Sequence, residues 1–275
     1  YLTRVAADAL RVDAAQLAAE VRATLTDAEA LVSDLASRPE MRIFVDQAGA
    51  IDAQQPGSHG APLVAALDTA RHPLLAVITP DGRLLTLAGS ADSRLRHRLA
   101  AQRLQVSQSW AGRSLFLLPA DADDRATPNQ TTDAPSRARV FAVAPVRDAQ
   151  QQVSALLALE VAPQALLPVH ATETRHGRAD VAMVINKQGA VLATQEAGGK
   201  HAQPIAIATR TSAVQMTPYQ NGHDTPVVAA WEWLPDGQLG AYIERDAKVA
   251  LRAVADLNPA IFGLTALAAT LLSLV

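Results

Sequence analysis

The chain contains no cysteine, which excludes a disulfide framework, thiolate metal sites and a cysteine nucleophile. Aromatic residues make up only 4% of its 275 residues, so alanine, leucine and valine must fill most of the core. The formal net charge of −3 argues against a nucleic-acid-binding protein, which would show a basic patch or stripe. The chain is long enough for one large domain or two modest ones.

Charged residues are also absent from the C-terminal segment, from residue 260 to residue 275. A helix that crosses a bilayer needs about 20 predominantly apolar residues. The polar side chains in this segment are small hydroxyls (Thr265, Thr270 and Ser273), which membrane helices carry easily. We interpret residues 258–275 as the start of a transmembrane helix that is cut short. A buried C-terminal helix of a soluble domain is the alternative.

Residues 1–45 are predicted to contain one long helix, because no glycine or proline occurs before Pro39. Such a helix would end near Arg38 and would be about 57 Å long at 1.5 Å per residue. That length exceeds what a small domain needs, so we predict that one stripe packs on the domain and that another forms a homodimer. A plain intramolecular core helix is the alternative. Apolar residues recur in it at Leu10, Leu17, Val21, Leu25, Ala28, Leu31, Val32 and Leu35.

Two strand–turn–strand patterns recur along the rest of the chain. The segment "VITPDGRLL" at 77–85 aligns with "VINKQGAVL" at 184–192, at a constant offset. A second pair of predicted hairpins covers 140–161 and 227–244, and each ends with an acidic residue on the outgoing strand, Glu160 or Glu244. Repetition of this kind predicts two tandem α/β modules with antiparallel sheets, at 46–170 and 171–257.

This order of features resembles the double Cache (dCache) sensor domains of bacterial transmembrane receptors. The resemblance is carried by the two short hairpins, by "ARVFAVAPVRDAQQQVSALLALEV" at 138–161 and by "VVAAWEWLPDGQLGAYIERDAKVAL" at 227–251. It implies an α+β fold with a long N-terminal helix, a membrane-distal PAS-like module and a membrane-proximal one. It also implies a sensor region in the periplasm, anchored in the bacterial inner membrane, with a histidine kinase, diguanylate cyclase or chemoreceptor as the cytoplasmic output.

In such receptors the distal module usually binds a small ligand between its sheet and a long connector, here residues 89–137. Asp133 stands at a spacing compatible with the aspartate of the amino-acid-binding members, but the aromatic cluster that precedes that aspartate is missing. Trp110 offers a flat apolar wall and Arg113 a bidentate fork for a carboxylate or phosphate. We therefore predict an anionic small-molecule ligand that contacts Trp110, Arg113, Ser114, Asp133 and Arg139. The alternative for these residues is structural: Trp110 in the core, solvated arginines and Asp133 in a turn.

No catalytic motif is evident, since the sequence has no Gly-x-Ser-x-Gly elbow, no His-Glu-x-x-His and no phosphate-binding loop. We predict a protein that is not an enzyme over this region and that uses neither a metal nor a cofactor. An alternative to direct sensing is an interaction module that docks a periplasmic binding protein. A membrane-anchored periplasmic enzyme is a third possibility, for which the residues offer no catalytic constellation.

Overall fold

The chain forms two compact units, which we name by the order in which their sheets occur in the sequence. The first module is the unit Arg22–Leu166, and the second module combines Tyr1–Val21 with Leu167–Val275. The computed structural model describes residues 2–47, 67–89, 95, 115–118, 139–167, 180–187, 191–194, 213–221, 224–235 and 238–250.

The predicted N-terminal helix is confirmed. Helix α1 spans Leu2–Ser37 and is followed directly by α2 at Pro39–Gln47. Proline lacks the N–H that a continuing helix would need, but its fixed φ suits the first turn of the next one, so Pro39 ends α1 and opens α2. Apart from Leu31, which is partly buried, the predicted apolar stripe is buried: Leu10, Leu17, Val21, Leu25, Ala28, Val32 and Leu35.

The first module contains a five-stranded antiparallel sheet with the order β2-β1-β5-β4-β3. The turn between β1 and β2 is the one that the sequence predicted: Gly82 has φ +84 and donates its N–H to the Thr79 carbonyl at 2.8 Å. The strands are β1 Leu75–Ile78, β2 Leu84–Ala88, β3 Leu115–Leu118, β4 Arg139–Arg147 and β5 Val153–Val161, and the short helix α3 at Pro163–Leu166 follows.

The second module repeats this architecture. Its five strands are antiparallel and follow the order β7-β6-β10-β9-β8, the same path through the sheet as in the first module. The predicted fold class, a long helix and two tandem PAS-like modules of α+β type, is therefore confirmed. The strands are β6 Asp180–Asn186, β7 Val191–Thr194, β8 Ala213–Gln220, β9 Pro226–Trp233 and β10 Leu239–Asp246.

The strand register makes the two repeats equivalent residue by residue. Glu160 of β5 lies beside Leu74, whose carbonyl accepts the Glu160 N–H at 2.8 Å. Glu244 of β10 is paired with Val181, which is the counterpart of Leu74 at the offset of the two aligned hairpins. The two acidic residues noted in the sequence thus occupy the same position in the two sheets.

Two strands were not predicted from the sequence: β3, which lies inside the connector at 89–137, and β8. Strand β3 is a run of only four residues, and β8 contains Pro218 and a break in its register between Gln215 and Tyr219. Each is the strand at one edge of its sheet and pairs with a single neighbour. Edge strands of this kind depend on that neighbour for their conformation, and a local pattern predicts them poorly.

Both faces of the first sheet are buried, because successive side chains on β1, β4 and β5 alternate between faces and all but a few are inaccessible. One face forms a core cluster that includes Ile78, Phe141, Leu156 and Ala158 from the sheet and Leu95 from the connector. Within the described residues, no helix is both long and apolar enough to cross a membrane. The predicted membrane segment, 258–275, lies outside those residues.

Candidate functional site

Of the five residues predicted to contact a ligand, Arg139 is the one that the structure describes. It is the first residue of β4 and pairs with Leu118 of β3. Trp110, Arg113, Ser114 and Asp133 lie outside the described residues.

Arg139 lies beside a buried carboxylate that the sequence analysis did not assign to the site. Its Nη1 donates a hydrogen bond of 3.4 Å to Oε2 of Glu160, and the two side chains are 34% and 8% exposed. Glu160 is opposite Phe141 in the register of β4 and β5, so Arg139, Phe141 and Glu160 share the sheet face that carries the core cluster with Leu95. The pair therefore lies at the polar end of an apolar surface, next to Leu118 of β3.

Burial raises the pKa of Glu160 above the usual value for a glutamate, and the charge and hydrogen bond of Arg139 oppose that rise. The contact at 3.4 Å is long for a charge-assisted hydrogen bond, which normally has a length of about 2.7–2.9 Å. A guanidinium also carries five N–H donors. Glu160 is the only partner that the described part of the chain gives to the Arg139 side chain. The pair can therefore accept a further anionic group at the arginine.

The backbone behind Glu160 is held by a buried histidine. The Nδ1 of His72 lies 3.2 Å from the carbonyl oxygen of Glu160, to which the protonated nitrogen donates. Burial lowers the pKa of His72, so the neutral ring is favoured. The Glu160 N–H and the Ala162 N–H donate hydrogen bonds of 2.8 Å to the carbonyls of Leu74 and Arg71, which flank His72 in the sequence. These contacts hold the strand that carries the Glu160 carboxylate.

The equivalent position in the second module has different partners. Tyr219 donates from its hydroxyl to Oε1 of Glu244 at 2.6 Å, and the hydroxyl groups of Tyr219 and Tyr242 are 2.5 Å apart. The Tyr242 hydroxyl also lies 3.4 Å from the same carboxylate oxygen. Burial raises the pKa of both tyrosines far above the ordinary value, so both hydroxyls stay protonated and can donate.

Aromatic rings lie on the same sheet face as this second carboxylate. The Trp231 and Tyr242 rings stack with centroids 6.2 Å apart. The Trp233 ring packs against Gly240, where an added Cβ would be 2.9 Å from the ring. Trp231 and Trp233 alternate along β9 and so share this face, where both pack against the core cluster that includes Tyr242.

The signal that could have revealed Glu160 was already in the sequence, as an acidic residue at the same place in two outgoing strands that are largely apolar up to that residue. A charged residue in such a strand costs free energy unless it is paired or functional. Over the part of the chain that the structure describes, no group of three or more histidine, aspartate or glutamate side chains could hold a metal ion.

No protein-family profile and no curated protein matches the sequence. Solved structures with the same fold are sensor domains. The ligand-binding domain of the Pseudomonas aeruginosa amino acid chemoreceptor PctB, in complex with L-Arg, is 13% identical over 96% of this chain and 98% of that chain, with a TM-score of 0.57. The sensor domain of the Vibrio cholerae histidine kinase DctB is 10% identical over 90% and 99%, with a TM-score of 0.59.

The periplasmic sensory domain of the Campylobacter jejuni chemoreceptor Tlp1 is 10% identical over 91% of this chain and 98% of that chain, with a TM-score of 0.55. These structures extend over nearly the whole chain and cover both modules. The fold expected from the resemblance to double Cache sensor domains is therefore confirmed.

Proposed function

We propose that this chain is the ligand-sensing region of a bacterial membrane receptor and binds a small anionic metabolite in the first module. The observation that carries the proposal is the Arg139–Glu160 pair, since a loosely engaged guanidinium lies beside a buried carboxylate on the connector side of the sheet. The remaining N–H donors of Arg139 suit a carboxylate or phosphate. The Glu160 carboxylate suits a hydroxyl or ammonium group on the same ligand.

The proposed contacts from the connector are Trp110, Arg113, Ser114 and Asp133. Trp110 would supply an apolar wall, and Arg113 a second fork for the anion. Sensor domains with this fold have been solved with L-Arg and with L-isoleucine. Those complexes support a small molecule as the ligand.

The proposal is tested by thermal-shift screening of the chain against metabolites, followed by calorimetry on each hit. We expect at least one anionic compound to raise the melting temperature. Replacing Arg139 by alanine should remove that shift and weaken binding by at least tenfold, because the loss of a charge-assisted hydrogen bond costs about 1.5–3 kcal/mol. Arg147→Ala is the matched control: Arg147 is at the opposite end of the same strand and bonds the Gln151 carbonyl.

Equal loss of binding in both arginine variants would contradict a contact at Arg139. If no compound from a broad anion and amino-acid panel raises the melting temperature, direct sensing loses its support. Docking of a periplasmic binding protein would then become the leading hypothesis. In that case Arg113→Ala would leave signalling intact, whereas changes of surface charge would abolish it.

We further propose that the chain lies in the periplasm and enters the inner membrane through residues 258–275. The uncharged run from residue 260 onward supports this placement. A ligand can bias the output only by binding one conformation better than another. The first module would thus report occupancy to the membrane segment and to an output domain beyond it.

The receptor is proposed to be a homodimer that pairs through α1. Opposite its buried stripe, α1 presents an exposed seam in which every residue is uncharged and the spacing alternates between four and three residues. Spacing of this kind is that of a coiled-coil interface. The exposed seam consists of Val5, Ala9, Val12, Gln16, Ala19, Ala23, Thr26, Ala30, Ser33 and Ser37.

A further inference from the structure

The second module contains a counterpart of the Arg139–Glu160 site, and strand register identifies its residues. Phe141 is paired with Glu160, and Ala229 with Glu244. Arg139 precedes Phe141 by two residues and Val227 precedes Ala229 by two residues, so Arg139 of β4 corresponds to Val227 of β9. In the same way Ala158 and Tyr242 each precede the glutamate of their strand by two residues, so these two positions correspond.

The edge strands extend the same comparison. Leu118 of β3 is paired with Arg139, and Tyr219 of β8 is paired with Val227. The small or aliphatic residues of the first module, Leu118 and Ala158, are therefore replaced by Tyr219 and Tyr242 in the second. Those two tyrosines are the ones whose hydroxyls surround Glu244.

We propose that Tyr219 and Tyr242 act as a built-in ligand that fills the second module's counterpart of the site. This inference rests on the proposed function, because it takes the space beside Glu160 to be where a ligand binds. In the first module the carboxylate has a one-third-exposed arginine beside it. In the second, the arginine position is the apolar Val227, and tyrosine hydroxyls from the same sheet donate to a carboxylate that is 2% exposed.

The packing around Tyr242 agrees with an occupied site. The residue is 1% exposed and belongs to a core cluster with Met183, Ile185 and Ala229, while the Trp231 ring stacks on it. Its phenol therefore has an apolar enclosure with one polar end, the arrangement by which proteins commonly hold small aromatic ligands. The second module would be held in one state by its own side chains and would not exchange this group with solvent.

Chemical rescue tests the proposal. Tyr242→Ala keeps the Cβ atom and removes the equivalent of phenol from the enclosure, and an apolar cavity of that kind can take up a small aromatic molecule. We expect the variant to melt at a lower temperature than the parent chain. Added phenol should restore several degrees, and benzene, which lacks only the hydroxyl, should restore less.

Phe44→Ala is the matched control, because Phe44 is a buried aromatic residue of α2 that is 3% exposed. In that variant the lost fragment is a benzene ring, so phenol should have no advantage over benzene. If Tyr242→Ala does not fold, Tyr219→Ala takes its place, because Tyr219 lies on the edge strand and is only partly buried. The same preference for phenol is expected there.

Equal rescue by benzene and phenol in the tyrosine variant, or rescue by neither, would overturn the proposal. The probes are simple aromatic compounds, so this outcome does not depend on whether the first module binds a metabolite. Failure of the ligand screen would count against the proposed function, while a preference for phenol would still show that the tyrosines fill an enclosure in the second module. Failure of the rescue would count against the built-in ligand alone.

Discussion

A single residue, Glu160, shows how a candidate site conflicts with stability. Its folded pKa is raised by burial above the unfolded value of 4.5. A carboxyl group whose pKa is raised by folding stabilises the folded state most at pH values below its unfolded pKa. This stabilisation is lost as the pH rises through the folded pKa. Ionisation of the buried side chain is therefore a cost to folding, which Arg139 offsets in part.

We predict that Glu160→Gln raises the melting temperature at pH 7 by about 2–4 °C, or roughly 1 kcal/mol. The amide keeps an acceptor for Arg139 and removes the buried charge. The gain should shrink as the pH falls and vanish near pH 4, where the parent side chain is protonated in both states. Calorimetry over this pH range measures it, with Asp46→Asn, at an exposed position of α2, as the control. A lower melting temperature for Glu160→Gln at pH 7 would show that the ion pair outweighs the cost of burial.

The sequence alone predicted only part of this site. Arg139 was predicted as a ligand contact, and the repeat of an acidic residue on two outgoing strands was visible. What the sequence could not provide was the register that places Glu160 opposite Phe141 and therefore on the same face as Arg139. A shift of one residue would have turned that carboxylate to the opposite face.

Among the elements, β10 carries polar contacts on both faces of the second sheet. Glu244 faces the tyrosines, and the next residue, Arg245, faces the other way and bonds Asp13 of α1 at 2.8 Å. The Arg245 side chain is 11% exposed and that of Asp13 is 38% exposed. This ion pair joins the first helix of the chain to its last described strand, 232 residues away.

We predict that Asp13→Ala destabilises the second module by about 1–3 kcal/mol, because it leaves a mostly buried guanidinium without this carboxylate. Asp8→Ala is the matched control on the same helix. Asp8 faces Arg11 at 3.8 Å, and both side chains are about 60% exposed; such pairs contribute roughly 0–1 kcal/mol. Urea unfolding followed by circular dichroism compares the two. Equal losses would mean that the Arg245 contact adds nothing beyond a surface charge.

The elements differed in how far the sequence could predict them. Helix α1 and the four hairpins carry their own local signals: apolar periodicity, Pro39 as a stop, and turns rich in Asp and Gly. Strands β3 and β8 were absent from the prediction because each is an edge strand with one neighbour and little pattern of its own. The polarity of the long connector masked β3 in particular.

At the scale of the whole molecule, the two modules differ in the side chains that contact their buried carboxylates. Both modules have the same strand order and the same buried carboxylate, yet one carboxylate faces an arginine and the other faces tyrosines. On the proposals above, the first module varies with its ligand while the second keeps a fixed internal partner. A fixed module suits the role of a rigid connection, because sensing needs only one element with two states.

The exposed surface of α1 is the physical reason to expect the proposed dimer. The exposed seam of α1 includes Val5 and Val12, which are 52% and 63% exposed and seven residues apart. Large apolar side chains at that spacing on a helix surface are stabilised when a partner helix covers them.

Because the chain has no cysteine, disulfide trapping tests this dimer directly. Ala19→Cys places a thiol in the exposed seam, and mild oxidation should join two copies through it, since facing seam positions of paired helices approach within disulfide range. Arg11→Cys is the control, exposed on the same helix but outside the seam. Non-reducing electrophoresis should show several-fold more covalent dimer for Ala19→Cys. Equal trapping at both positions would indicate random collision and would leave the coiled-coil pairing without support.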